Sequence, residues 1–190
     1  MSNASPTNPA PVELIACIDR KDLPARRLHG VVRFSQNPFI GNLGARIRCF
    51  PRTDEIEKDN TKKQLVAYVL CVSSGPSGEL RILSYTRGKK GAEVRLHAKK
   101  SIGVGGHINY DDFTAADVKV RKTGTENERA RLYHYWARGC DAAAVREVNE
   151  ELQLADPSKA VREDNFRFYG LMNCDLDEVS SVHVAVVSVC

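Results

Sequence analysis

The order of apolar and polar positions predicts strands first, then a long helical region, then further strands. Residues 64–72 form an almost continuous apolar run rich in β-branched and aromatic side chains, which is typical of a buried central strand. Shorter apolar runs predict further strands at residues 12–18, 30–34, 43–50, 80–85, 102–108, 166–171 and 182–189. Turns are expected around Pro24 and at residues 73–78 and 88–91. Pro51 is expected to end the strand before it, and residues 54–63 to form an exposed turn or short helix.

Residues 142–154 contain good helix formers and few breakers, so they predict a helix. Apolar residues recur on one stripe of this helix, at Val145, Val148 and Leu152. Glu147, Glu150 and Glu151 crowd a neighbouring face, where like charges repel by a few tenths of a kcal/mol per pair. A divalent cation such as Mg²⁺ removes that cost by taking carboxylate oxygens as ligands. A solvated acidic face, with part of the repulsion offset by Arg146, is the alternative.

A second helix start is predicted upstream of the glutamates. The sequence TENE at residues 125–128 has the form of a capping box, and Leu132, Tyr135 and Trp136 follow at helical spacing. The two aromatic side chains could stack on a base, although this spacing is more typical of core residues. The sequence leaves open whether Gly139 interrupts this helix or the helix continues into the glutamate segment.

Two motifs together resemble the box of the Nudix hydrolases. The run REVNEE at 146–151 resembles the R-E-U-x-E-E core, and GGHI at 105–108 resembles the glycine-rich strand end that opens the box. The family pattern reads G-x5-E-x7-R-E-U-x-E-E-x-G-U, where U is an aliphatic residue. This sequence has Asp111 in place of the first Glu, Gln153 in place of the late Gly, and a long insertion at about residues 112–140 in place of the short spacer.

The resemblance covers roughly residues 45–190. Within this range the chain resembles one Nudix subgroup at five short segments, which are KQ (63–64), YTR (85–87), RLH (95–97), FYGLMN (168–173) and VHV (182–184). It implies an α+β fold in which a mixed β-sheet is packed between helices, an α/β/α sandwich. A single domain is expected over residues 12–190, after a Pro-, Ser- and Asn-rich tail at residues 1–11 that is expected to be disordered. Nudix domains usually carry a further helix after the last strand, so an end at Cys190 favours a truncated or minimal domain.

The resemblance also implies a reaction and a metal. Nudix enzymes hydrolyse a diphosphate linkage between a nucleoside and another group, or a related phosphoanhydride, with Mg²⁺ or Mn²⁺. The implied metal ligands are Glu147, Glu150, Glu151 and the carbonyl of Gly105. Glu147 and Glu150 are the implied catalytic carboxylates, and Glu147 is either a ligand or the base that accepts a proton from water. Arg146 is expected to orient Glu147 through a charge-assisted hydrogen bond, or else to be an ordinary surface arginine.

Further candidates surround this box. Substrate contacts are expected from Gly106, His107, Arg87 and Arg95. His107 is alternatively a hydrogen-bonded structural histidine, and the basic hairpin that carries the two arginines is alternatively an exposed turn. The candidate extra carboxylates are Asp111, which is alternatively part of a loop that caps a strand end, and Asp175, which is alternatively a solvated loop residue.

Composition limits the classes of partner. The chain has 190 residues, 42% hydrophobic and 27% charged, with a net charge of +4, which is typical of one globular domain and suits an anionic small molecule. Nucleic acid is not indicated, and no apolar run approaches the ~20 residues that span a membrane. Six scattered cysteines without a C-x-x-C pair indicate neither a disulfide framework nor a cysteine zinc site, and they favour a reducing cytoplasm. A homodimer is compatible with the sequence.

Two rival functions share the implied fold. A catalytically inactive Nudix-fold module would bind a nucleotide metabolite, but such modules tend to lose the box glutamates, and all three are present here. An isomerase of isoprenoid diphosphates requires a catalytic cysteine motif that this sequence lacks.

Overall fold

The computed structural model describes residues 12–23, 30–33, 40, 42–88, 98–114, 128–152 and 160–190, with side chains in the long helix described from residue 136 onward. Five features named in the sequence analysis lie wholly or partly outside these ranges. They are the expected tail at residues 1–11, the turn around Pro24, the capping box at 125–128, Arg95 and Gln153.

The strands are β1 (Leu14–Asp19), β2 (Gly30–Arg33), β3 (Arg48–Pro51), β4 (Lys62–Leu70), β5 (Val72–Ser74), β6 (Leu80–Ile82), β7 (Tyr85–Thr86), β8 (Lys100–Ser101), β9 (Gly103–Val104), β10 (Arg167–Asn173) and β11 (His183–Val189). The α-helices with complete bounds are α1 (Glu128–Leu152) and α2 (Glu178–Val182), and residues 110–114 are also helical. Short 3-10 turns occupy Arg20–Asp22, Leu43–Arg46, Ile56–Lys58 and Glu163–Asn165.

One mixed sheet organises the domain. Its strands follow the order β2-β10-β11-β4-β1-β3, and β9 pairs with β4 beside this path. The pair β4 and β11 is parallel, with His183 opposite Gln64 and Val189 opposite Leu70, while the other pairs are antiparallel. Two small hairpin sheets, β5 with β6 and β7 with β8, lie apart from it. The predicted α+β class with a mixed sheet and a central buried strand is confirmed.

The long helix α1 covers one face of this sheet. Its buried side chains pack against the inward side chains of β1, β4, β10 and β11. The buried residues of α1 are Trp136, Cys140, Ala143, Ala144 and Val148. Each large apolar side chain that is removed from water contributes about 1.5–3 kcal/mol to this packing. A smaller cluster of Ile15, Cys17, Ile56 and Phe50 lies on a different part of the sheet, under the 3-10 turn Ile56–Lys58.

Helix α1 runs through Gly139 without a break, which settles the question that the sequence left open. A Cβ atom at Gly139 would lie 2.4 Å from the ring of Phe113, so the glycine permits close packing of the aromatic ring. Trp136 is 1% exposed and meets Phe168 edge-on with a centroid separation of 6.0 Å. Trp136 is therefore a core residue and does not present a face to a base.

Two predicted elements differ in detail. The strand expected at residues 43–50 begins only at Arg48, because Leu43–Arg46 forms a 3-10 turn. Pro51 lies within β3 and pairs with Leu14, which an edge strand allows because its outer backbone needs no N–H donor. The acidic segment after β10, expected as a loop, contains α2. The Asp177 side chain accepts a hydrogen bond from the Ser180 amide at 2.8 Å and caps that helix.

Within the described ranges, no helix combines the length and apolar character needed to cross a membrane. The six cysteines are free thiols.

Candidate functional site

The glutamates of α1 lie against the glycine segment that follows β9. A Cβ atom at Gly106 would lie 2.7 Å from both carboxylate oxygens of Glu147, so the backbone approaches this carboxylate as closely as a glycine allows. The backbone amide of Gly105 donates a hydrogen bond to Glu151. Glu150 is the outermost of the three, with 61% of its side chain exposed against 12% for Glu147. The structure therefore brings all three predicted carboxylates to one place.

Two glycines are required in this segment for different reasons. Gly105 has φ +149°, and a Cβ there would lie 2.0 Å from the carbonyl oxygen of Ala67. Gly106 accepts a hydrogen bond from the Ala67 amide at 2.8 Å, which ties the segment to β4. Its missing side chain leaves room for Glu147. The predicted strand at residues 102–108 is consequently interrupted here, and pairing resumes as isolated bridges at His107 and Asn109.

Burial, and to a smaller extent crowding of negative charge, changes the acidity of two glutamates. The pKa of Glu147 is raised, chiefly by burial, and its neighbours Glu150 and Glu151 add to the shift while Arg146 opposes it. The pKa of Glu151 is also raised by burial of its carboxyl group, and the nearby positive charge of Arg87 opposes that shift. Both shifts show that burial, with a smaller contribution from neighbouring glutamates, makes the charged carboxylates costly here. A bound cation would remove this cost.

Arg146 joins the helix to the glycine segment through several hydrogen bonds. Its guanidinium donates to Asp112 at 3.0 Å through both Nε and Nη2, and Nη2 also donates to the carbonyl of His107 at 3.0 Å. Nη1 donates to Glu147 at 2.7 Å and to Glu150 at 3.5 Å. The pKa of Arg146 is raised by these partners, Asp112 first. Arg146 therefore orients Glu147, as the motif implies, and is not an ordinary surface arginine.

The carboxylate that pairs with Arg146 is Asp112. Asp112 is 6% exposed and also accepts from the amide of Asn109 at 2.7 Å, whereas the neighbouring Asp111 is exposed to solvent. Counting the family spacing from Gly106 places Asp112 at the position of the first Glu, whereas counting from Gly105 led to Asp111. The structure corrects this assignment by one residue.

Other predicted site residues fall in different places. Arg87 is half-buried on the glutamate side, close enough to Glu151 to affect its pKa. His107 contributes only its backbone carbonyl to the Arg146 network, because its side chain bonds to Gln64 at 2.8 Å. Asp175 accepts from the fully buried Lys63 at 2.6 Å and from Arg20, so its charge neutralises a buried lysine. His107 and Asp175 are therefore not gathered with the glutamates by their side chains.

A second cluster was not predicted from the sequence. Glu57, His107 and His183 place ligand atoms within 4.8 Å of one another. These residues come from three distant segments, and no local spacing connects them. The cluster can be inferred only when the pairing of β11 with β4 is known. That register sets His183 opposite Gln64, the hydrogen-bond partner of His107.

No family model matches this chain, whereas similar proteins are found among curated sequences and among solved structures. Protein YmaB of Bacillus subtilis (strain 168) is 30% identical over 158 residues, which is 82% of this chain and 63% of that protein. The chain thus spans less than two thirds of YmaB. The solved structure of Tm1382, a candidate Nudix hydrolase, superposes with a TM-score of 0.56 at 25% identity, over 93% of this chain and 74% of the other. The predicted Nudix-type α+β fold is confirmed by this likeness.

Proposed function

We propose that this chain is a metal-dependent hydrolase of phosphoanhydrides, acting on a nucleoside diphosphate linked to another moiety or on a related diphosphate. The observation that carries the proposal is the grouping of Glu147, Glu150 and Glu151 against the backbone of Gly105 and Gly106. The likeness in fold to a candidate Nudix hydrolase supports it.

The residues present suit Mg²⁺ or Mn²⁺. Hard cations take oxygen ligands, and this site offers three carboxylates, to which the proposal adds the backbone carbonyl of Gly105. Burial is the main cause of the raised pKa of Glu147 and of Glu151, so their charged forms are disfavoured in the metal-free protein, and a bound dication would favour those forms. When bound, such an ion neutralises diphosphate oxygens and acidifies a water molecule.

The chain itself has three tasks in this proposal. Arg146 fixes the rotamer of Glu147 through the 2.7 Å hydrogen bond, so that the carboxylate is held ready to accept a proton from water. Asp112, which is buried, holds Arg146 in turn through two hydrogen bonds. Arg87 supplies a positive charge beside Glu151, suited to a terminal phosphate of the substrate.

The proposal is tested by incubating metal-stripped protein with a panel of nucleoside diphosphate derivatives, with and without Mg²⁺ or Mn²⁺. We expect cleavage of at least one compound at its phosphoanhydride bond, and loss of that cleavage in excess chelator. Glu150→Gln should lack the activity, while Glu163→Gln, an exposed change outside the site, should retain it. Full cleavage in chelator would contradict metal dependence. Tight binding of a panel compound without cleavage would favour the alternative of a nucleotide-metabolite binding module.

A further inference from the structure

The side chains of Glu57, His107 and His183 meet on the face of the sheet opposite α1. Successive side chains of a strand point to opposite faces. Ile108 belongs to the core under α1, so its neighbour His107 points to the other face, and Val184 places His183 there in the same way. Glu57 reaches this point from the 3-10 turn Ile56–Lys58. The cluster is therefore separated by the sheet from the glutamates of α1.

The spacing of the two imidazoles matches a metal site. Nε2 of His183 lies 3.3 Å from Nε2 of His107. Two Zn–N bonds of about 2.0–2.1 Å at a tetrahedral angle place their nitrogens about 3.3–3.4 Å apart. The two nitrogens are thus already separated by one edge of a zinc coordination tetrahedron. The ring centroids are 5.3 Å apart and the planes are inclined at 46°, so the rings are not stacked.

The position of the proton on His183 also suits a metal ligand. Nδ1 of His183 lies 2.6 Å from the carbonyl oxygen of Val179. A carbonyl only accepts, so Nδ1 carries the hydrogen, and Nε2 of the neutral ring carries the lone pair. A histidine that ligates a metal commonly donates its other ring N–H to a backbone carbonyl in this way.

Gln64 fixes the position of the His107 ring through a hydrogen bond. The amide nitrogen of Gln64 donates to the carbonyl of Ile56 at 3.1 Å, so its oxygen faces Nε2 of His107 at 2.8 Å. In the metal-free protein Nε2 of His107 donates to that oxygen, so metal binding at Nε2 would transfer this hydrogen to Nδ1 or release it as a proton to solvent, and would displace the Gln64 oxygen from the ring nitrogen.

Two carboxylates, those of Glu57 and Glu13, and one guanidinium, that of Arg52, lie beside the cluster. Arg52 donates to Glu57 at 2.8 Å and to Glu13 at 3.0 Å, so two carboxylates share one guanidinium. Glu57 keeps a second oxygen for a ligand bond, and the half-buried site is reached from solvent.

We propose that Glu57, His107 and His183 form a binding site for Zn²⁺ or a similar transition-metal ion, separate from the glutamates of α1. Two imidazole nitrogens and one carboxylate oxygen suit such an ion and do not suit Mg²⁺, which prefers an all-oxygen shell. The site joins the turn before β4, the glycine segment and the start of β11. Because Arg146 bonds to the carbonyl of His107, a metal on the imidazole would also hold the backbone that carries Gly105 and Gly106.

The test is a titration of the metal-stripped full chain with Co²⁺, whose visible absorption reports nitrogen ligands and low coordination number. We expect one equivalent to bind with visible bands, displacement by Zn²⁺, and no displacement by a large excess of Mg²⁺. His183→Ala and Glu57→Gln should each weaken this binding by at least about tenfold. Glu55→Gln, an exposed change two residues from Glu57, should leave the binding unchanged.

A further variant separates this site from the glutamates. Glu150→Gln should leave the visible Co²⁺ bands unchanged, since these bands report the histidine site. The proposal is overturned if no bands appear, if they persist unaltered in Glu57→Gln and His183→Ala, or if Glu150→Gln removes them. Should His183→Ala fail to fold, as judged by circular dichroism, the partly exposed Glu57→Gln decides the question, because it deletes no buried volume.

Discussion

Arg146 and Asp112 form a two-bond pair, with Nε and Nη2 of the arginine each 3.0 Å from one oxygen of the aspartate. Arg146 belongs to the glutamate helix, and Asp112 lies 34 residues earlier, beside the glycine segment. The pair therefore holds together the two chain segments that carry the candidate metal ligands. A planar guanidinium fits a carboxylate in this manner, and an ammonium does not.

We expect Arg146→Lys to lower turnover on the protein's substrate by roughly 10²-fold while it preserves the charge. A lysine makes a single contact, so Glu147 loses its fixed orientation, and small misplacements of a catalytic group have effects of this size. Unfolding by urea should show a loss of about 1–3 kcal/mol, because Asp112 is buried and loses part of its pairing. Arg162→Lys, at an exposed position, is the matched control and should change neither quantity. Unaltered turnover in Arg146→Lys would contradict the orienting role.

The position of Asp112 also shows where sequence analysis reaches its limit. The motif comparison placed Asp111, one residue away, at the position of the first Glu of the box. In the helical segment at residues 110–114 adjacent side chains point about 100° apart, so a shift of one residue exchanges a buried ion-pair partner for an exposed aspartate. A pattern of spacings with two adjacent glycines and two adjacent aspartates does not resolve that choice.

The parts of the fold that could be predicted are those with a local signal. The apolar run of β4 and the periodic stripe of α1 required only neighbouring residues, and both elements are present. The pairing of His107 with His183 could not be predicted, because it depends on the parallel register of β11 on β4 and on residues 76 positions apart. The ion pair of the buried Lys63 with the exposed Asp175, 112 positions apart, was missed for the same reason.

The glutamates of α1 provide the second prediction. Glu150→Gln and Glu151→Gln keep shape but remove one negative charge from a crowded face. Metal-free stability should therefore hold or rise by a few tenths of a kcal/mol. Turnover should fall by roughly 10²-fold or more, because metal assistance is lost. For Glu147→Gln we expect the same loss of turnover without a gain in stability, since Glu147 also accepts the hydrogen bond from Arg146.

Parallel measurement of turnover and thermal unfolding in chelator checks this ranking. Glu163→Gln, exposed and outside the motif, serves as the control for turnover. Near-wild-type turnover in all three variants would mean that the three glutamates form only a solvated acidic face and take no part in catalysis.

The third prediction concerns Gly106. Its added Cβ in Gly106→Ala would lie 2.7 Å from the Glu147 carboxylate, the far end of a flexible side chain, so the fold should adapt and stability should change by about 1 kcal/mol or less. The displaced carboxylate should lower turnover by at least about tenfold. Gly88→Ala is the control, since a Cβ there meets no atom within 4 Å. An active Gly106→Ala enzyme would show that Glu147 does not need its present position against the glycine segment.

The last prediction follows from Asp141, half-buried on α1. Burial, with a contribution from Glu163, raises the pKa of Asp141 from 3.8 to about 6 in the folded protein. As the pH rises through 4, the unfolded chain loses this proton first, while the folded chain keeps it until about pH 6. The folded state is therefore favoured by this group below pH 4, and that advantage is lost between pH 4 and pH 6.

Asp141→Asn removes the titrating group and keeps the shape of the side chain. At pH 7.5 the variant should be more stable than the wild type by about 1–2 kcal/mol, after allowance for partial solvent screening of the carboxylate. At pH 4 the difference should shrink towards zero, because both proteins then carry a neutral group at this position. Urea unfolding at the two pH values measures the difference, and Asp164→Asn, at an exposed position, should show no such trend. A stability gain that is equal at both pH values would mean that the effect arises from packing and not from ionisation of Asp141.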